Sequence, residues 1–133
     1  MLNREVFTKD PTTFAIPNDG VTVVGDPQRP EEWDVLRYEL SAFVCEGEYQ
    51  SGLVRVLSTF LQHLSKPKQP AVWVSGFYGS GKSHFVRVLQ YLWNNVTLPD
   101  GVQARGLTKL PTEVSELLTE LTTEGKRHGG LWA

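Results

Sequence analysis

Eight residues near the middle of the chain restrict the fold more than any other part of the sequence. They read Gly76-Phe77-Tyr78-Gly79-Ser80-Gly81-Lys82-Ser83 and match the pattern G-x-x-x-x-G-K-[ST], known as the P-loop or Walker A motif. A short apolar run, residues 71–75, precedes the motif, and a segment with helical apolar spacing follows from Phe85. This order is typical of a buried strand, a phosphate-binding loop and a helix.

Each fixed residue type in the motif has a physical task. Gly76, Gly79 and Gly81 permit backbone conformations that a side chain would obstruct, so that successive N–H groups can turn toward a phosphate. The N-terminus of the following helix adds free N–H groups and a partial positive charge. We expect the Lys82 ammonium to contact the β- and γ-phosphates and the Ser83 hydroxyl to ligate Mg²⁺.

The predicted cofactors are therefore ATP and Mg²⁺, with Ser83 as the metal ligand. A dinucleotide-binding motif is excluded because no third glycine follows Gly81 at the required spacing. His84 could reach a phosphate, although a packed or solvated histidine is the commoner outcome. The predicted nucleotide-binding residues are Gly76, Phe77, Tyr78, Gly79, Ser80, Gly81, Lys82, Ser83 and His84.

Upstream of the motif, the sequence predicts a hairpin and then two helices. Residues 14–24 hold two apolar runs around a Pro-Asn-Asp-Gly turn, which is typical of a small hairpin. Helical apolar spacing covers residues 30–47. A proline and two acidic residues favour the start of a helix there, and a glycine favours its end. A wider apolar face covers residues 49–64. We expect both helices to pack in the core. Two alternatives remain, a partner-binding strand at the N-terminus and the stacking of adenine near Arg37 and Tyr38.

Downstream of the motif, the pattern predicts a loop and one further helix. Residues 96–111 read as an extended loop in which Arg105 and Lys109 are solvated or, less often, face a nucleotide or a partner. Thr112 can cap the last helix, and Gly125 is the predicted stop.

Together these elements predict an α/β fold. It is an incomplete P-loop NTPase core in which a hairpin and a helical pair precede the Walker A strand, loop and helix. Residues 1–66 form the hairpin and two-helix segment, and residues 67–133 form the truncated start of the core. No apolar run after Ser83 ends in Asp or Glu, so the second acid that usually holds the Mg²⁺ shell is missing. We expect the front part of a larger ATPase, which binds ATP without hydrolysing it alone and whose catalytic residues stay unassigned.

Composition narrows the setting of the chain. A net charge of -2 among 133 residues leaves no basic footprint, so nothing in it indicates contact with nucleic acid. Cys45 is the single cysteine, which excludes an internal disulfide and favours a reducing compartment. The polar start predicts neither a signal peptide nor a membrane span. We expect a cytoplasmic location.

Three stretches of the sequence resemble the N-terminal region of the large P-loop ATPases of bacteriophage exclusion (BREX) systems, the BrxC/PglY type. They are Trp33-Asp34-Val35-Leu36-Arg37-Tyr38-Glu39-Leu40, then Phe43-Val44 with Tyr49, then Trp73-Val74-Ser75-Gly76-Phe77-Tyr78-Gly79-Ser80-Gly81-Lys82-Ser83-His84-Phe85. The resemblance implies an AAA+-like ATPase that works with a DNA methyltransferase and other components to block phage replication. It implies other BREX-type proteins as partners, or self-association. Of the functional residues of that family, the resemblance assigns only the Walker A positions, Gly76 to Ser83, to this chain.

Two other functions compete with this interpretation. One is a non-enzymatic interaction module in which residues 1–64 dock partners and the P-loop is vestigial. The other is a small P-loop kinase, which is disfavoured because no lid or acceptor-binding segment follows the loop.

Overall fold

The computed structural model describes Thr13 and residues 26–130. The predicted hairpin, residues 14–24, lies outside the described residues. Within them the chain forms five helices, α1 (Pro30–Ala42), α2 (Gly47–His63), α3 (Lys82–Asn94), α4 (Ala104–Leu107) and α5 (Thr112–Arg127). No helix in this described part is both long and apolar enough to cross a membrane.

The helical pair predicted before the motif is present, and its apolar faces lie in the core. Leu53 and Leu57 of α2 are fully buried where that helix packs against α5. Removing one leucine side chain from water contributes about 1.5–3 kcal/mol, so the burial of Leu53 and Leu57 stabilises the position of α2 in the fold. The buried core comprises Leu36, Leu40, Phe43, Cys45, Leu53, Leu57, Phe85, Val88, Tyr91, Leu92, Ala104, Val114, Leu118 and Leu121.

One face of helix α3 is buried in the core, and an ion pair links the helix to α1. Val88, Tyr91 and Leu92 are at most 1% exposed. The guanidinium Nε of Arg87 lies 2.9 Å from Oε2 of Glu39 on α1, and both side chains are nearly buried. Because both ends of this pair are withdrawn from water, losing either partner would strand a buried charge. Helix α3, whose first two residues end the Walker A motif, is therefore fixed to the bundle.

The α/β fold predicted from the motif is wrong for the described residues. Among residues 26–130 no strand or sheet is present, and the sole β-type pairing is an isolated bridge between Thr97 and Gln103. The predicted strand, residues 71–75, is non-helical and mostly exposed, with Trp73 90% accessible to solvent. An apolar run becomes a buried strand only where neighbouring strands satisfy its N–H and C=O groups. The described chain places no second extended segment beside it, and the four longer helices bury one another instead.

The predicted extended loop over residues 96–111 and the predicted end of the last helix need correction. The loop contains the short helix α4, whose Ala104 is fully buried, so burial of a small side chain outweighs the turn-forming sequence around it. Helix α5 begins at Thr112 with Pro111 as its N-cap residue, and it continues through Gly125 to Arg127. A single glycine costs a helix only about 1 kcal/mol, which the buried face of α5 offsets.

Candidate phosphate-binding loop

The loop over residues 76–81 leads directly into α3 and has the backbone shape that its glycines permit. Gly79 and Gly81 have positive φ angles of 77° and 78°, and Gly81 is the N-cap residue of α3. A Cβ atom at Gly76 would lie 2.7 Å from Oγ of Ser80. The loop therefore closes on itself so tightly that a side chain at position 76 would displace Ser80.

The Lys82 side chain folds back across this loop. Its Nζ donates hydrogen bonds to the carbonyl oxygens of Gly76, at 3.0 Å, and Phe77, at 2.6 Å. It also lies 3.5 Å from the hydroxyl oxygen of Ser80. All three partners are neutral groups, so these contacts orient the ammonium without cancelling its charge. A cation whose charge is not cancelled attracts an anion.

The first turn of α3 adds free donors to the same place. The N–H groups of Lys82, Ser83 and His84 precede the first helical hydrogen bond, which runs from Phe85 N–H to Gly81 C=O at 2.8 Å. Within the described part of the chain, no side chain caps this end of α3. Helix geometry gives such an end about half a positive charge. The free N–H groups, the helix dipole and the Lys82 ammonium all favour an anion at this point.

Ser83, the predicted Mg²⁺ ligand, is exposed in the first turn of α3. Its hydroxyl is therefore accessible from solvent. Among residues 26–130, no group of three or more His, Cys, Asp or Glu side chains could hold a metal ion. In known nucleotide sites, phosphate oxygens and waters supply much of the Mg²⁺ coordination, so such a site needs few protein ligands.

His84 is placed differently from the rest of the predicted site. Its ring lies 5.7 Å from the ring of Phe43, centroid to centroid, at the end of α1. Burial lowers the pKa of His84 from its usual value of 6.5, while nearby Glu39 raises it and Arg87 lowers it. The imidazole is thus largely neutral at pH 7. The ring packs against Phe43, and only the backbone N–H group of His84 contributes to the free donors at the start of α3.

Tyr49 contacts the loop, although sequence reasoning placed it only on the core face of α2. Its hydroxyl donates a hydrogen bond to the Ser80 carbonyl oxygen at 3.0 Å. The sequence carries one weak signal for this role, because a tyrosine packed in a core usually needs a partner for its hydroxyl. Nothing in the spacing of residues 49–64 indicates that the partner belongs to the loop.

The structure places the other polar candidates away from the loop. Arg37 pairs with Asp100, between the first turns of α1 and the connection after α3. The Arg105 guanidinium donates to the carbonyl oxygens of Leu92 and Trp93, at the opposite end of α3 from the loop. Cys45 is buried, and burial raises the pKa of its thiol. None of these groups lies in the first turn of α3.

Comparison with family models finds no match, and no solved structure matches the chain.

Proposed function

We propose that residues 76–83 bind the phosphates of Mg-ATP. The observation that carries the proposal is the position of the Lys82 ammonium, which lies across a glycine loop at the uncapped N-terminus of α3. A triphosphate presents several negatively charged oxygens to such a site, and hydrogen bonds between ionised groups are about twice as strong as neutral ones. Lys82 is the phosphate ligand in this proposal, and Ser83 contributes its hydroxyl to Mg²⁺.

We further propose that this nucleotide binding serves a BREX-type phage-defence ATPase. Support comes from the likeness of the motif and of the residues around Trp33 and Trp73 to that family. In this role the nucleotide state of the loop switches the assembly between two conformations, because only the triphosphate provides γ-phosphate contacts.

A calorimetric titration with Mg-ATP tests the proposal. We expect saturable binding by the wild-type chain, and a loss of about tenfold or more in affinity for Lys82→Ala because one charge-assisted phosphate contact disappears. Lys68→Ala is the matched control, since Lys68 is exposed on the connector before the loop. Equal affinity in the Lys82→Ala and wild-type proteins would exclude Lys82 as a phosphate ligand.

Two extensions of this experiment address the metal and the biological role. Ser83→Ala should weaken the dependence of ATP affinity on Mg²⁺, whereas unchanged dependence contradicts a metal ligand at Ser83.

In a host that relies on the corresponding defence genes, Lys82→Ala should remove phage protection while Lys68→Ala retains it. Full protection by Lys82→Ala argues against the defence role proposed for the loop.

The interaction-module alternative, in which residues 1–64 dock partners, is not supported by this loop, but a related possibility has an observation in its favour, namely that a partner docks on the loop itself. Trp73, Phe77 and Tyr78 are 90%, 91% and 100% exposed, and exposed aromatic side chains are enriched where proteins meet. In this alternative the loop contacts another protein of the assembly, not a nucleotide. Wild-type protein that shows no heat or signal with Mg-ATP, yet binds a partner through Trp73, would favour it.

A further inference from the structure

The ring of Tyr49 is fixed between two other aromatic rings beneath the loop. Tyr49 lies in the first turn of α2, and its ring stacks on Phe85 at 6.0 Å between centroids. Phe43 meets the same ring edge-on at 5.6 Å. Aromatic pairs in these arrangements are favourable beyond the area they bury. Tyr49 is 38% exposed, but these two ring contacts hold its side chain so that the hydroxyl lies against the loop.

This hydroxyl lies against the backbone at the point where the loop becomes α3. It donates to the carbonyl oxygen of Ser80 at 3.0 Å, and a Cβ atom at Gly81 would lie 2.7 Å from the hydroxyl oxygen. Two independent features thus require glycine at position 81, the positive φ angle and the contact with Tyr49. The Tyr49 hydroxyl thus contacts both residues of the Ser80–Gly81 peptide unit directly.

Holding the Ser80 carbonyl also orients the next N–H group. A peptide unit is planar and trans, so its C=O and N–H bonds point in opposite directions. When the Ser80 carbonyl points to Tyr49, the Gly81 N–H points away from α2. Glycine peptides can flip with little steric resistance, since positive and negative φ are both open to them. The hydrogen bond from Tyr49 opposes such a flip.

We propose that Tyr49 is a positioning residue of the phosphate loop, which fixes the Ser80–Gly81 peptide so that the Gly81 N–H is presented to a phosphate. The inference rests on the proposed nucleotide binding and deepens it. Tyr49 itself does not contact the ligand. It joins the loop to α2, so the order of the loop depends on the packing of that helix.

Tyr49→Phe tests the inference, because it removes the hydroxyl and keeps the aromatic ring. We expect Mg-ATP affinity to fall about three- to tenfold, as for the loss of one hydrogen bond that orders a site. Ser51→Ala is the control. It removes a hydroxyl from the same helix, one that donates to the Gly47 carbonyl at 3.0 Å and not to the loop. The melting temperature of Tyr49→Phe should stay close to that of Ser51→Ala.

A second measurement needs no nucleotide. The heteronuclear ¹⁵N NOE of the Gly79, Ser80 and Gly81 amides should fall in Tyr49→Phe, which reports faster motion of the loop on the picosecond to nanosecond timescale. Unchanged NOE values would overturn the inference whether or not ATP binds. Wild-type protein that fails to bind Mg-ATP would instead overturn the proposed function, and the NOE comparison would still decide on Tyr49. Equal losses in Tyr49→Phe and Ser51→Ala would also count against a positioning role.

Discussion

Arg105 shows how one side chain can link two helices from a segment that the sequence predicts to be a solvated loop. Its guanidinium donates to the carbonyl oxygens of Leu92, at 2.7 Å, and Trp93, at 3.0 Å, at the end of α3. It also donates to Leu118 C=O and the Thr122 hydroxyl of α5. A cation at a helix C-terminus is favourable. Burial lowers the pKa of Arg105, but a guanidinium stays charged at neutral pH.

Replacing Arg105 with methionine should therefore destabilise the fold. We expect the free energy of unfolding to fall by about 2–4 kcal/mol, since four hydrogen bonds from one charged group are lost and the α3–α5 contact loosens. Urea denaturation followed by circular dichroism measures this. Lys109→Met, in the same connection and exposed, should change stability by less than about 0.5 kcal/mol. Similar effects for the two variants would show that the Arg105 contacts contribute little.

In the loop over residues 76–81, the sequence predicts some residues better than others for a physical reason. The backbone freedom of Gly79 and Gly81 is a local property, so a motif encodes it, and both residues have positive φ angles. The contact between Tyr49 and Ser80 joins residues 31 positions apart in the chain. Only the packing of α2 against α3 creates that contact, so no local pattern could predict it.

At the scale of elements, the start of α1 shows a cap that combines charge and hydrogen bonding. The Glu32 carboxylate accepts hydrogen bonds from the backbone N–H groups of Gln28, at 2.6 Å, and Arg29, at 3.2 Å. The Arg29 side chain donates to it at 2.9 Å. Led by the bond from Gln28, these contacts lower the pKa of Glu32 from 4.5 to about 2.

The stability that Glu32 contributes should therefore depend on pH with a defined sign. A carboxyl group whose pKa is lower in the folded state stabilises the fold above its unfolded pKa of 4.5, and this contribution is lost as the pH falls toward 2. Glu32→Gln should melt below the wild type at pH 7, and the gap should close between about pH 4.5 and 2. Glu31→Gln, in the same turn, is the control. A gap that does not change with pH would contradict this cap.

The apolar run over residues 71–75 shows why the fold was harder to predict than its helices. The helices carry their apolar spacing within one segment, and α1, α2 and α3 form where that spacing predicts them. A strand depends on partners elsewhere in the chain, and its apolar run looks the same whether or not they exist. Val72 and Trp73 consequently remain exposed in an otherwise helical structure.

At the scale of the whole molecule, the helices form a support for one loop. Helix α2 packs on α5 and holds the loop through Tyr49, while α1 holds α3 through the Glu39–Arg87 ion pair. The loop is thereby attached to the bundle at its junction with α3, and its preceding segment is exposed. The start of α3 is thus held in place without a sheet in the described residues.

A cleft away from the loop is a competing nucleotide site within the same molecule. A cleft of about 440 Å³ lies between the start of α1 and the connection after α3. Its residues include Trp33, whose ring could stack on a base, and Arg37, whose charge is already paired with Asp100. A measurement that locates the ligand must therefore distinguish this cleft from the loop.

The most direct test of the account is a titration of ¹⁵N-labelled wild-type protein with Mg-ATP, followed through its backbone amide resonances. We predict that the largest shifts occur at Gly79, Gly81, Lys82 and Ser83, because their N–H groups lie at the loop and at the α3 N-terminus. Resonances around the α1 cleft should change little. Shifts centred on Trp33 and Arg37, or no shifts at millimolar Mg-ATP, would contradict the assignment of the loop as the phosphate-binding site.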